Sequence, residues 1–302
     1  MRSLVVAVAF SLTLSVVAYA EPLVLVSASY QKDIIALCEL DGTVVWSHKT
    51  GGPQQGHAGH HEVQMLENGN ILFHDDWDTV KEIKLDGTEV WSYTSANVHA
   101  FTRMKDGNTM IAESGKDRII IVNKEGNVIH ETPLGKGGRG KTRQAEVLDS
   151  GNFLVCAENP GTVTEYDPTG KIVWEYEIGT RVYGAIRLSN GNTLIGSGSG
   201  NSVVEVTPKK KVVWEIKSSV PNTKIQLHWT ACLKELDNGH IIVDNCHAGP
   251  DNPQLFELDR DRKAVWQFNE FELVGNGMAC FDYVDDQLAT KVRKIIASLP
   301  TK

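Results

Sequence analysis

Three histidines fall within five residues of this chain, at His57, His60 and His61, and His99, His228 and His247 follow later. Histidine is the side chain whose ordinary protonation change lies nearest neutral pH, and it can serve as nucleophile, general base or metal ligand. Arg143 offers a rigid planar fork that matches sulfate, phosphate or carboxylate, and the Tyr183 hydroxyl can donate to a phenolic or anionic oxygen. Catalysis, if the chain performs any, is expected from His61, His99, Arg143 and His228. Ligand contacts are expected from His57, His60, Tyr183, Trp229 and Glu113. The favoured reading requires no metal; the residues that would offer nitrogen and oxygen to zinc or copper are His57, His60, His61, His74 and Asp75. The acidic run Asp75-Asp76-Trp77-Asp78 reads as a solvated loop, with calcium binding as its alternative.

A repeat must position these residues. Gly42-Thr43-Val44-Val45-Trp46 returns as Gly87-Thr88-Glu89-Val90-Trp91, as Gly126-Asn127-Val128-Ile129-His130 and as Gly170-Lys171-Ile172-Val173-Trp174, with looser copies ending at Trp214 and Trp266. Trp46 and Trp266 stand 220 residues apart over five intervals, a period of 44. Short alternating strands at that period predict an all-β propeller with one four-stranded antiparallel blade per repeat. A second turn motif recurs as Asn68-Gly69-Asn70, Asp106-Gly107-Asn108, Ser150-Gly151-Asn152, Asn190-Gly191-Asn192 and Asn238-Gly239-His240. Gly and Asn there accept the positive φ that tight hairpin turns require. The first repeat lacks an opening strand and residues 278–285 form an opening strand with no continuation, so the termini are expected to pair and close six blades. The recurring tryptophan is expected to pack between blades, with His130 as a weaker packing residue in the third.

The repeat also sorts residues by height. Aligned on the turn glycine, His61, His99, Arg143, Tyr183, Ala231 and Ala279 are equivalent and stand at the top of the innermost strands. His74, Asp75 and Asp76 are level with Glu113, Glu158, Asn245 and Cys246. Polar and titratable residues thus converge on one end of the central channel, where four blades could share one ligand.

Leu4 to Val17 is apolar and Ala18-Tyr19-Ala20 is an A-x-A cleavage pattern, so residues 1–20 read as a signal peptide, 21–286 as the propeller and 287–302 as a helix or tail. The protein is expected to be exported, to the periplasm or beyond the cell, as a monomer with no membrane span. With 30 basic and 38 acidic residues the formal charge is −8, which argues against nucleic acid as a partner. The expected partner is a small anionic or aromatic ligand, or another exported protein. Five cysteines make no disulfide scaffold and read as buried thiols, although Cys232 and Cys280 occupy equivalent repeat positions and an exported protein permits a bridge.

The Gly-x-Val-Val-Trp repeats resemble those of the quinoprotein-dehydrogenase-type (PQQ-like) propeller superfamily over essentially the whole chain after residue 20. Residues His60-His61-Glu62-Val63-Gln64-Met65-Leu66-Glu67-Asn68-Gly69-Asn70 are similar to the His-His/Asp-x-x-x-Leu-x-Asn-Gly-Asn segments of arylsulfotransferase-like exported propellers. That resemblance implies sulfuryl transfer between phenols through a histidine, with His61, His99 and His228 as candidates and Arg143 as the oxyanion clamp. True quinoprotein dehydrogenases have eight blades and often an adjacent-cysteine pair, which this chain lacks. Three readings follow: a binding propeller with a His/Arg/Tyr-lined site, which is favoured; an arylsulfotransferase-like transferase; and an oxidoreductase using PQQ, another quinone or a divalent metal.

Overall fold

The chain reverses at its glycine turns. At Asn68-Gly69 the Gly69 N–H donates to the Leu66 carbonyl and the Leu66 N–H to the Asn70 carbonyl, both at 2.8 Å. Gly69 has φ +87°, so a type I turn is closed by a residue in the left-handed region. Lys210 and Arg262, with φ of 64° and 68°, hold the same conformation in turns that lack the glycine.

A computed structural model describes residues 21–28, 32–49, 61–75, 77–95, 97–135 and 142–300. His57, His60, Asp76 and the leader at 1–20 lie outside the described residues. The described chain forms six four-stranded antiparallel sheets arranged as the blades of a propeller. The first blade is β24 (Met278–Val284), β1 (Leu23–Ala28), β2 (Ile34–Glu39) and β3 (Val44–His48), so the carboxyl-terminal strand is innermost and closes the ring. The other innermost strands are β4 (Val63–Met65), β8 (Val98–Arg103), β12 (Thr142–Val147), β16 (Gly184–Arg187) and β20 (Trp229–Glu235).

Apolar faces of neighbouring blades make the cores. Ala112 and Ile119 of the third blade, for example, share a buried cluster with Phe153, Val155 and Tyr166 of the fourth. The recurring tryptophans add a directional link. Trp46 donates its indole N–H to the Leu85 carbonyl at 2.8 Å, Trp174 to Pro208 at 3.0 Å, Trp214 to Arg260 at 3.0 Å and Trp266 to Leu40 at 2.8 Å, each on the next blade. His130 differs from the sequence expectation: its Nε2 lies 3.1 Å from the Pro168 carbonyl of the next blade, so the imidazole keeps the link instead of only packing less.

The second turn motif serves the same junctions. Asn68 and Asn70 donate to Glu82, and Asn190 and Asn192 donate to Glu205. Arg103 of the third blade pairs with Glu82 at 2.8 Å while covering Trp91, and Arg260 pairs with Glu205 while covering Trp214. Each buried carboxylate thus keeps amide and guanidinium partners, which is the condition for burying it.

Helix α2 (Asp286–Ser298) is capped by Asp285, which accepts from the Leu288 N–H at 2.8 Å. It buries Ala289 and Val292 and donates from Lys291 to the Glu67 carbonyl and from Arg293 to that of Glu21. The helix therefore covers the turn end of the first two blades. Among the described residues no helix is long and apolar enough to cross a membrane.

Candidate functional site

Irregular pairing at the mouth places the polar side chains. The register of β8 against β9 (Thr109–Glu113) shifts between Val98 and Ala100, leaving His99 as the extra residue, and that of β12 against β13 (Phe153–Ala157) shifts between Thr142 and Gln144, leaving Arg143. Comparable shifts fall between Thr230 and Leu233, and opposite Ser27 and Ala28 at Ala279. A bulge sets two residues against one and re-aims a side chain, and here it does so at the same height in four innermost strands.

His61, just before β4, brings its Nδ1 to 2.6 Å from the Tyr183 hydroxyl, which stands just before β16. The His61 and His99 rings are 5.2 Å apart between centroids, and Trp77 closes on both, at 4.6 Å and 5.0 Å. Arg143 Nη1 lies 3.3 Å from both ring nitrogens of His99, a placement across the ring instead of along one lone pair. Its Nε donates to Glu158 Oε2 at 2.7 Å, with Nη2 on the same oxygen. Arg181 reaches the other Glu158 oxygen at 3.3 Å and extends over Trp229, 6.0 Å from the ring centroid. Gly198, at φ +51°, lies beneath that indole, where a Cβ would meet ring carbons at 3.2 Å and 3.3 Å; the glycine lets Trp229 lie flat.

These groups enclose a pocket of about 290 Å³ lined by His61, Arg143, Glu158, Arg181, Tyr183 and Trp229, with Cys246, His247 and Ala279 completing the wall. Among the described residues, two guanidiniums face one carboxylate, so their fixed charges sum to +1. His99 stands one layer behind, against Arg143. Burial first, then the Arg143 charge and then His74, hold its imidazole down to about 3. A neutral His99 adds no repulsion beside Arg143, and at that value it is a weak base: it supports the site as a positioning residue. A larger depression of about 510 Å³ lies at the turn end among Lys234, Glu235, Asp237, Asp285 and Asp286 and holds neither His nor Arg.

Other expected residues go elsewhere. Glu113 is fully buried at the right height but turns outward, engaging Lys116 at 3.0 Å together with Arg118 and Ser95. His228 stands beside the pocket without lining it, and its backbone N–H donates to Asn245 at 2.8 Å. His74 packs edge-on against Phe101 at 4.7 Å and Asp75 pairs with Lys81 at 2.6 Å. Among the described residues, His61, His74 and Asp75 do not bring three ligand atoms to one point. Trp77 and Arg181 join the site from outside the residues that the repeat singles out. Trp77 sits in an acidic run that reads as solvated loop, and its signal is a large aromatic at the height of the ring; Arg181 carries none beyond lying two residues before Tyr183.

A family model described as "Outer membrane protein assembly factor BamB" (PQQ_2) matches residues 7–160 and 159–275. The chain belongs to this PQQ-like repeat family. No curated protein matches it. Among solved structures, a protein of unknown function from Bacteroides caccae is 23% identical with a TM-score of 0.74, over 88% of this chain and 99% of that one. Virginiamycin B lyase from Staphylococcus aureus is 14% identical with a TM-score of 0.59, over 83% and 85%. The extracellular domain of the hybrid two-component system BT3049 from B. thetaiotaomicron is 13% identical with a TM-score of 0.55, over 93% of this chain and 40% of that one. These likenesses establish the propeller fold. The PQQ-like family name raises pyrroloquinoline quinone, but the described residues do not fit it: its three carboxylates would meet a pocket whose described fixed charges sum to +1.

Proposed function

We propose that the protein is an exported binding propeller that holds a small aromatic anion at the mouth of its channel. The observation that carries this reading is the convergence of Arg143 and Arg181 on the single carboxylate of Glu158, in a pocket walled by Tyr183 and Trp229. One uncompensated guanidinium charge selects an anion, the two aromatic faces select a planar body, and about 290 Å³ is at the small end of ligand pockets. The apolar leader ending in Ala18-Tyr19-Ala20 supports export, and amino-terminal sequencing of the secreted protein should begin at Glu21.

A panel of single-ring probes tests the ligand class. Benzoate and 4-nitrophenyl sulfate should raise the melting temperature, while anisole and benzylamine should not. Equal stabilisation by the neutral and cationic probes would remove the basis for an anion site.

The hydrogen bond that orients His61 favours group transfer as the second reading. In that step an imidazole nitrogen of His61 attacks the sulfuryl sulfur, an N–S bond forms as the aryl O–S bond breaks, and the phenolate leaves. A second phenol then attacks that sulfur: its oxygen forms a new O–S bond as the N–S bond breaks, its proton passes to solvent, and the imidazole is regenerated. Release of nitrophenolate from 4-nitrophenyl sulfate in the presence of a phenol, lost in His61→Ala, would establish transfer; binding without release supports the binding protein.

A further inference from the structure

One residue past the ring at the mouth, the same strands present a second layer to the channel. Four of the residues that follow a ring residue, Glu62, Gln144, Cys232 and Cys280, line it, while Ala100 packs into the core between the third and fourth blades. In a regular strand consecutive side chains point to opposite faces. Here the register shifts at residues 230–233 and at Ala279 relax that alternation, and the two cysteines come inward beside Glu62.

A carboxylate oxygen of Glu62 and the sulfurs of Cys232 and Cys280 all lie within 4.8 Å of one another, on segments from three different blades. Cys280 Sγ donates to Glu62 Oε1 at 3.1 Å, and Cys232 Sγ donates to the Ala279 carbonyl at 3.2 Å. Gln144 Nε2 stands 3.8 Å from the Cys232 sulfur, so an N–H donor is already aimed at the atom that would become a thiolate. The same three residues line a cavity of about 280 Å³ in the channel, which also touches Gln144, Ala185 and Phe281.

We propose that Glu62, Cys232 and Cys280 form a zinc-class divalent metal site inside the channel, distinct from the anion pocket above it. Two sulfurs and one carboxylate oxygen suit Zn2+, which takes Cys and Asp/Glu ligands at about 2.3 Å and 2.0–2.2 Å. Calcium and magnesium reject thiolates, and a copper(I) site would favour soft ligands in place of the carboxylate. Binding replaces hydrogen with metal: two thiols and one Zn2+ give two Zn–S bonds and release two protons. Three protein ligands leave a fourth position facing the cavity, the pattern of an open zinc site and not a closed structural one. Gln144 then donates to the Cys232 thiolate as an outer-shell partner. The inference stands apart from the anion pocket, since neither Arg143 nor Tyr183 takes part.

The test uses the reduced, metal-stripped protein titrated with Zn2+ by competition against a chromophoric chelator, and in parallel with Co2+ followed by visible absorption. One metal per chain is expected, with the intense visible bands of a four-coordinate cobalt thiolate. Cys232→Ser and Cys280→Ser should each abolish those bands. Cys38→Ser, a buried thiol of the first blade outside the trio, should keep them, and circular dichroism of each variant separates lost ligation from lost folding. Gln144→Ala should bind about 10-fold more weakly with the bands retained. No stoichiometric binding by folded, reduced wild type would overturn the site. So would bands that survive in folded Cys232→Ser, or a Cys232–Cys280 disulfide found by mass in protein isolated from its host without reductant.

Discussion

His61 and Tyr183 are 122 residues apart in the chain, yet their side chains meet at 2.6 Å across the channel mouth, imidazole Nδ1 to phenolic oxygen. The contact joins the second blade to the fifth and ties the two unbulged inner strands into the site that the bulges build. Removing the hydroxyl while keeping the ring isolates it. Tyr183→Phe should fold normally and bind a small aromatic anion about 5-fold more weakly, as the loss of one buried hydrogen bond of roughly 1 kcal/mol implies. Calorimetric titration of the variant against wild type checks this.

Arg143 and Arg181 should differ in weight. Arg143 holds Glu158 through two nitrogens and braces His99, whereas Arg181 is exposed at the rim. Arg181→Ala should therefore lower affinity for an anionic probe only a few-fold, with an effect that shrinks as salt screens it. Titrations of wild type and variant at low and high ionic strength read both quantities.

Acid should destabilise the fold through His99. Its folded value of about 3 lies below the ordinary 6.5, so the unfolded chain takes up the proton first. The stability that a neutral His99 contributes is fully present above about pH 6.5 and is lost as pH falls towards about 3, at up to about 1.4 kcal/mol per pH unit. Glu146 runs the other way: burial pushes it from 4.5 up to about 7, so its contribution is present below about 4.5 and lost as pH rises through about 7. Chemical denaturation across pH should show His99→Gln flattening the acid limb and Glu146→Gln raising stability above pH 7.

The outer turn of the fifth blade carries a removable strain. Lys210 stands at φ 64°, where other turns of the repeat place glycine. Lys210→Gly should stabilise the protein by about 0.5–1 kcal/mol, the left-handed penalty less the added freedom of the unfolded chain. The midpoint of a urea titration reads it, and an unchanged midpoint would mean that the turn relaxes on its own.

The propeller was legible in the sequence because each blade repeats its turns at a fixed spacing, so Gly42, Gly69 and their equivalents set both strand order and height. The mouth was legible in part for the same reason: alignment on the turn glycine put His61, His99, Arg143 and Tyr183 at one level. What alignment could not supply was direction. Glu113 shares the height but turns outward to Arg118 because its strand is second in the blade, while the bulges that aim His99 and Arg143 inward leave no mark in composition. Trp77 and Arg181 reach the site from segments outside the inner strands, where the repeat places no constraint. Glu62, Cys232 and Cys280 escaped as a group because only a register shift lets consecutive residues face one channel.

The central claim is that a small aromatic anion binds at the channel mouth through Arg143. Isothermal titration of 4-nitrophenyl sulfate into wild type and Arg143→Ala, with folding of both verified by circular dichroism, tests it most directly. One bound probe per wild-type chain is expected, with affinity weakened about 10- to 100-fold in the variant, the weight of a charge-assisted contact of about 1.4–2.8 kcal/mol. Equal affinity in the two proteins, or no binding to folded wild type, would contradict the account.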